Sequence, residues 1–470
     1  MGKKKKILLL ADDIRLHSGI GTMSREIVFG TLDKYDWIQI AGAIKHPDEG
    51  KGVIDLSNDS KITEETGIKD FSLKLFPVSG YGNPDIVRYV MDTEKPDMIM
   101  HFTDPRFWGW LYDMAYEIRQ QIPISYYNIW DDLPFPHWNE PFYESCDLLM
   151  AISKQTYNIN KHVCQIKPRN DWDLTYVQHG IDEEKYFPID DTNTELIGLK
   201  SSIAPDKDYD FIAFFNSRNI RRKGCSDLIH AFGEFQKSLP KEEADKCLLL
   251  MHTDVVDDNG TNLQAVQDNL YPDMNLIFSN AKLPYQQLNI LYNIADVSCN
   301  PSSAEGFGLS HMESMMAGTP TITTVLGGLQ DQLGFKVDGR DFRKEDLTAD
   351  IPSNSNGRIS KEHGEWTYPL WPNQSLQGSP PTPYIYDSRP VIDDIVKGLH
   401  YWYNMSNEER TRRGKIGRDW AIKNNFTKKG MCNEIVKSFE GCFKNWKPLE
   451  RMQIINTSKP KPKYPSGVIL

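Results

Sequence analysis

ADVSCNPSSAEGFGLSHMESMMAGTP, Ala295 to Pro320, passes from a strand through a turn into a helix. Val297 to Asn300 reads as a strand, Pro301 to Phe307 as a turn with Ser and Gly, and a helix is expected to open near Gly308 to Ser310. The first N–H groups of a helix lack intrahelical acceptors and sit at the positive end of its dipole, so this strand, turn and helix make an anion site of the kind a pyrophosphate needs. Glu305 falls in the turn and Glu313 about one turn into the helix. Carboxylates repel phosphate, so these two are expected to accept hydrogen bonds from hydroxyls flanking it, a sugar at one end and a ribose at the other.

Working outward, short apolar runs alternate with amphipathic ones along most of the chain. Ile7 to Leu10, Trp37 to Ala41, Met98 to Phe102, Ile124 to Trp130 and Leu148 to Ile152 read as buried parallel strands. Phe211 to Phe215, Leu248 to Met251, Leu276 to Phe278, Val297 to Asn300 and Thr321 to Thr324 repeat the pattern. Two successive doubly wound α/β domains fit this order. Between them YVQHGIDEEKYFPIDD reads as a strand ending at Gly180 and then extended polar chain, with the boundary near Pro188 to Pro205. The expected division is a first domain over 1–190, a second over 205–395, helices over 396–450 that cross back to the first domain, and a tail over 451–470. Residues 331–390, with EWTYPLWPNQSLQGSPPTPYIYDSRP, read as an irregular insertion that is neither helix nor central strand.

Composition narrows the class. A chain of 470 residues is large enough for two or three cores, which argues against a lone binding module. With 54 Lys and Arg against 65 Asp and Glu, the net charge of −11 argues against coating nucleic acid or an anionic membrane by charge alone. The seven cysteines form no CxxC pair and no Cys/His cluster, so neither a disulfide framework nor a zinc site is expected. The apolar run in MGKKKKILLLADD stops at Asp12, too soon for a secretory core, and nothing approaches the ~18 apolar residues of a membrane helix. A cytoplasmic enzyme without integral membrane association is the expectation. Composition is silent on its oligomeric state.

Two glutamates seven residues apart, Gly-Phe-Gly after the first and Ala-Gly-Thr-Pro after the second, resemble the signature of the family 4 retaining glycosyltransferases (glycosyl transferases group 1) of the GT-B fold. FNSRNIRRKGCSDLIHAF, Phe215 to Phe232, is similar to the family's Arg…Lys-Gly segment; CDLLMAISK, VQHGIDEEKYFP and HSGIGTMSRE resemble its last first-domain strand, its crossover and its first glycine loop. The resemblance implies two Rossmann-like domains facing a central cleft and a nucleotide-diphosphate-sugar donor, UDP or GDP, with no other cofactor. It implies that Glu305 contacts the donor sugar and Glu313 the ribose. Arg218 and Lys223 would neutralise the diphosphate, and the N–H groups of Phe307, Gly308 and Leu309 would complete its cradle. Gly19 and Gly21, between the first strand and a helix expected near Thr22, would let backbone approach the donor phosphate or the acceptor, with a tight strand-to-helix turn as the plain alternative. Those cations stand where a divalent ion would otherwise serve, so no metal is expected.

His101 ends the strand DMIMHF and is a catalytic candidate, with a satisfied structural histidine as the alternative. Family members commonly carry a cleft His-Asp pair after a neighbouring strand, where this chain has NIWDD. Trp130, Asp131 and Asp132 are therefore acceptor candidates: the indole offers a stacking face for a sugar or base, and the carboxylates can orient a hydroxyl, while core packing and helix capping are the plain alternatives. The basic runs Lys3 to Lys6, Arg221 to Lys223, Arg410 to Lys415 and Lys459 to Lys463 read mainly as solvated faces. The expected activity is retaining transfer of a sugar to an acceptor hydroxyl on a glycan or other molecule. The alternatives are a phage-type glycosyltransferase acting on a hydroxymethylated DNA base, and a nucleotide-sugar epimerase of the same fold.

Overall fold

A computed structural model of the protein describes residues 3–164, 169–203 and 207–450. The first sheet is built from β1 (Lys5–Asp12), β2 (Tyr35–Ala43), β3 (Ile54–Asp55), β4 (Leu73–Ser79), β5 (Met98–Phe102), β6 (Ile124–Asn128), β7 (Leu148–Ala151) and β8 (Leu174–Tyr176). Its order is β3-β4-β2-β1-β5-β6-β7-β8, parallel except for β3 against β4. The second comprises β9 (Phe211–Asn216), β10 (Cys247–His252), β11 (Leu276–Ser279), β12 (Val297–Asn300), β13 (Thr321–Thr324) and a later β16 (Thr367–Leu370), in the order β11-β10-β9-β12-β13-β16 and all parallel. Between β13 and β16 lies a small hairpin, β14 (Lys336–Val337) with β15 (Arg340–Asp341); after β16 come β17 (Asn373–Ser379) and β18 (Thr382–Arg389), paired antiparallel.

Every strand foreseen from its apolar run is present, because the central strands are buried on both faces: Ile7, Leu8, Leu9 and Leu10 of β1 are at most 1% exposed. Both sheets are doubly wound, and their strand C-termini, where β1, β6, β9 and β12 end, meet across one cleft. This is where open α/β sheets bind ligands. The helices Ile392–Tyr403 and Asn407–Lys423 stay with the second sheet, where Trp402 Nε1 donates to the Thr321 carbonyl (3.2 Å) and Arg410 pairs with Asp296 (2.7 Å). Arg410 is thus a buried ion-pair partner, not part of a solvated basic face. The helix Lys428–Asn445 lies on the first sheet, with Phe439 against Tyr35 and Trp37, and Glu26 joins Lys185 to Lys428 beside the crossover.

The strand expected to end at Gly180 ends at Tyr176, because the chain turns away to meet the crossover: Gln178 Nε2 donates to the Asn424 carbonyl and Ile181 N to that of Phe426. The helix expected near Thr22 spans Gly19–Phe29, because Ser18 accepts from Gly21 N and caps it three residues earlier. Residues 331–390 are not irregular throughout. They hold β14 to β18, and the prolines that argued against strands sit where a missing N–H is harmless, Pro369 in the edge strand β16 and Pro383 in a two-stranded hairpin. The tail, with Lys459 to Lys463, lies outside the described residues, as does Pro205.

Candidate active site

The cleft between the sheets has a volume of about 1110 Å³ and is lined from both domains. At its centre, Glu305 is 5% exposed and engages Lys223 Nζ in a very short contact, the Arg222 guanidinium at 3.3 Å and the Ser302 hydroxyl at 2.9 Å. Burial pushes this carboxyl up, but Lys223 and Arg222 more than offset that and hold it at about 2. Burial likewise pushes the Lys223 ammonium down, against the pull of Glu305. Arg222 also donates to the Ala304 carbonyl, fixing the turn that carries Glu305. Arg222 and Lys223, read from the sequence as part of a mainly solvated basic run, are thus ion-pair partners of Glu305 in the cleft, because the turn that carries Glu305 folds back over them.

The helix foreseen after this turn is Leu309–Met316, and Phe307, Gly308 and Leu309 line the cleft at its start. Gly308 is the N-cap at φ 91°, and a Cβ there would come within 2.4 Å of Leu329 Cδ2, so the backbone enters the helix along a path only glycine takes comfortably. Glu313 lies one turn in and also lines the cleft, with its carboxylate 2.7 Å from the Tyr292 hydroxyl. Burial pushes the Glu313 carboxyl up, partly opposed by hydrogen bonds from Tyr292 and Tyr186. Asn216, at the end of β9, donates to Tyr292 at 2.8 Å and so ties the second-domain strand edge to the same network.

The remaining candidates fall into different places. Arg218 lines the cleft, but its side chain is 61% exposed and its Nε is 2.6 Å from Asp257. Gly19 lines the cleft opposite Leu309. Gly21 does not: a Cβ on it would stand 2.7 Å from the Leu16 carbonyl, so it is glycine for close packing of the turn. Trp130, Asp131 and Asp132 line the first-domain side, and burial pushes both carboxyls up, helped by the charge of Glu305 beside Asp131 and of Asp131 beside Asp132. Arg222 pulls both the other way. Among the described residues no group of His, Cys, Asp and Glu is arranged to hold a metal ion.

His101 is not brought to the cleft. It is fully buried, stacks on Tyr126 with ring centroids 5.0 Å apart, and has Nδ1 2.6 Å from the Tyr112 hydroxyl. Burial lowers its pKa from an ordinary 6.5 to about 3, so it stays neutral in the fold. As pH falls through 6.5 toward 3, the unfolded chain takes up a proton the folded chain refuses, and stability falls by up to ~1.4 kcal/mol per pH unit. His101→Phe should therefore lower proton uptake on unfolding by about one between pH 4 and 6, while turnover stays within about twofold of wild type. Denaturant titrations at several pH values, with parallel rate measurements, check this; a large fall in turnover with unchanged stability would return His101 to the chemistry.

Residues 200–346 match the family model described as glycosyl transferases group 1, a span holding Arg218, Arg222, Lys223, Glu305 and Glu313. Among curated proteins, the chain is 24% identical over 187 residues to the alpha-monoglucosyldiacylglycerol synthase of Acholeplasma laidlawii, covering 39% of this chain and 43% of that one. It is 24% identical over 219 residues to the mannosylfructose-phosphate synthase of Agrobacterium fabrum, covering 44% of each. The chain thus spans less than half the length of these relatives. Among solved structures, Anabaena HepE in complex with UDP and glucose superposes with a TM-score of 0.62 at 14% identity, covering 93% of this chain and 99% of that one. The sucrose-phosphate synthase of Thermosynechococcus elongatus gives 0.65 at 14% identity, covering 94% and 100%. The chain has the GT-B fold, two Rossmann-like domains, and the match to the group 1 glycosyltransferase model falls in the part that builds the second of them.

Proposed function

We propose that the protein is a retaining glycosyltransferase that moves a sugar from a nucleotide-diphosphate-sugar to an acceptor hydroxyl without a metal ion. The observation that carries this is the convergence of Lys223, Arg222 and Glu305 on the open start of the helix Leu309–Met316, with Glu313 one turn further on. The diphosphate would lie against the N–H groups of Phe307 to Leu309, where the helix dipole favours negative charge. Glu313 would accept the ribose hydroxyls and Glu305 a hydroxyl of the sugar. As the bond from sugar C1 to the β-phosphate oxygen breaks, its electron pair leaves with the nucleoside diphosphate. Lys223 and Arg222 stand beside the growing charge, with Arg218 at the rim. The acceptor oxygen bonds to C1 on the face the diphosphate leaves, and its proton passes to a diphosphate oxygen.

UDP-glucose is the first donor to test, because solved neighbours bind UDP or UDP-glucose, and GDP-sugars are the second. A hydroxymethylated DNA base as acceptor, and epimerisation in place of transfer, draw no specific support: of the basic run at 410–415, Arg410, Arg412 and Arg413 are already engaged by Asp296, Glu365 and Glu409. Proton NMR of UDP-glucose turnover in excess EDTA tests the proposal. The expected result is undiminished turnover and an α-configured initial product. A β-configured product would exclude retention, and complete loss of turnover restored by Mn²⁺ or Mg²⁺ would show that the acidic residues near Asp131 or Asp257 hold a metal.

A further inference from the structure

The antiparallel pair β17–β18 follows the second sheet in sequence and stays tied to that domain at its base, where Arg389 pairs with Asp227 at 3.6 Å, but the rest of it reaches across to the first domain. All seven residues of β17 are exposed, and an isolated two-stranded hairpin is marginal in water, so its position must be set by what it touches. It touches the first domain. Tyr386 N donates to the Leu133 carbonyl at 2.6 Å, and the Tyr384 hydroxyl donates to that of Phe135 at 3.1 Å. The Tyr384 ring meets Trp138 edge-on at 4.3 Å, and Arg106 donates to Thr382 Oγ1 at 2.6 Å. The hairpin therefore crosses the mouth of the cleft, and Gln377, Thr382 and Ile385 line it together with Trp130 and Asp132.

We propose that this hairpin is the outer wall of the acceptor subsite, and that the subsite selects an uncharged, hydroxyl-bearing ring, a sugar or cyclitol unit, over a phosphorylated one. The inference rests on the glycosyltransferase reading of the same cleft. On the first-domain side the charged lining residues are Asp104, Asp131, Asp132 and Arg106, and Arg106 is already chelated by Asp104 at 2.9 and 3.1 Å. The other lining cations, Arg218, Arg222 and Lys223, lie on the second-domain side, where the donor diphosphate takes them up. A phosphate on the acceptor would meet three carboxyl groups, with Arg106 already paired and only the exposed His17 to offset them. A neutral ring finds the Trp130 indole to stack on, carboxylates and the Gln377 amide to bind its hydroxyls, and Ile385 as an apolar edge. Closing this side also keeps bulk water from the sugar carbon that the acceptor must attack.

The test uses the full chain with UDP-glucose, read as UDP release, and UDP binding by calorimetry. In one variant residues 377–385 are replaced by Asn-Gly, which joins the paired residues Leu376 and Tyr386 through a two-residue turn and retains the Tyr386 to Leu133 bond. Thr382→Ala combined with Ile385→Ala serves as a milder second variant. The expected result is UDP affinity within about twofold of wild type and release of UDP to water raised by about fivefold or more in the shortened hairpin, with a smaller rise in the double variant. Glucose, maltose and myo-inositol should accelerate UDP release by wild type at concentrations where glucose 6-phosphate and myo-inositol 1-phosphate do not, and should lose that effect in the variants. Unchanged release to water, loss of UDP affinity in the shortened hairpin, or preference for the phosphorylated compounds would each overturn the assignment. If wild type binds neither UDP nor GDP, the reading of the cleft itself falls, and this inference with it.

Discussion

Lys223→Ala is expected to cut the rate of sugar transfer by about 10² to 10³-fold, the usual cost of removing one preorganised donor from a developing anion. Lys223 is held by Glu305 at the floor of the cleft with a side chain only 14% exposed, so it is in place before the donor arrives and needs no reorganisation. Charge on the β-phosphate grows as the glycosidic bond breaks, and only interactions that strengthen toward the transition state raise the rate of the chemical step. The loss should therefore fall on kcat more than on acceptor KM. Removing one member of a buried ion pair also leaves Glu305 with Arg222 and Ser302 alone, a cost to stability of the kind buried pairs show when broken. Lys223→Ala with Glu305→Gln relieves that cost without restoring the cation, with Glu305→Gln alone as the reference for what the Glu305 carboxylate itself contributes. Steady-state kinetics beside thermal denaturation separate the two effects: recovered stability with persistent loss of kcat is expected, and near-normal kcat in either variant lacking Lys223 would remove Lys223 from the chemistry.

Glu313→Ala should weaken UDP binding by roughly ten- to a hundredfold, the ~1.5 to 3 kcal/mol of a charge-assisted hydrogen-bond partner. The carboxylate is aimed into the cleft and braced by Tyr292 and Tyr186, so a ribose meets an acceptor already oriented. Burial raises its pKa, and the pH dependence follows. As pH falls through that raised value the carboxyl gains a proton and loses acceptor capacity, so UDP affinity should weaken toward acid in wild type and stay flatter in Glu313→Gln. Calorimetry at several pH values measures both. A drop in thermal stability with unchanged UDP affinity would make Glu313 a support for Tyr292 instead.

Much of this arrangement is legible in the sequence because it depends on local chemistry. The turn around Glu305 and the helix after Gly308 follow from a strand, a glycine and an amphipathic run, and the central strands follow from apolar runs buried on both faces. The side of a strand on which a polar residue falls is less local. Met98, Met100 and Phe102 face one core and Ile99 and His101 the other, so β5 has no wet face, and that alternation was the available sign that His101 is structural. The hairpin β17–β18 was not legible at all: its stretch is rich in Pro, Gly and Ser, and what holds it in place comes from Leu133, Phe135, Trp138 and Arg106, more than 230 residues earlier in the chain. The ion pair of Arg218 was hidden for the same reason, since Asp257 reaches it from another loop.

If the cleft beside Glu305 is a nucleotide-diphosphate site, a bound nucleotide must protect the backbone around it. Hydrogen exchange of the full chain with and without UDP, read peptide by peptide, tests it most directly. The account predicts slowed exchange over residues 305–313 and 216–224, with Lys223→Ala and Glu313→Ala each reducing that protection. Protection confined to the separate cavity lined by Lys154, Tyr176, Phe342 and Trp420, or no protection anywhere with either UDP or GDP, would contradict it.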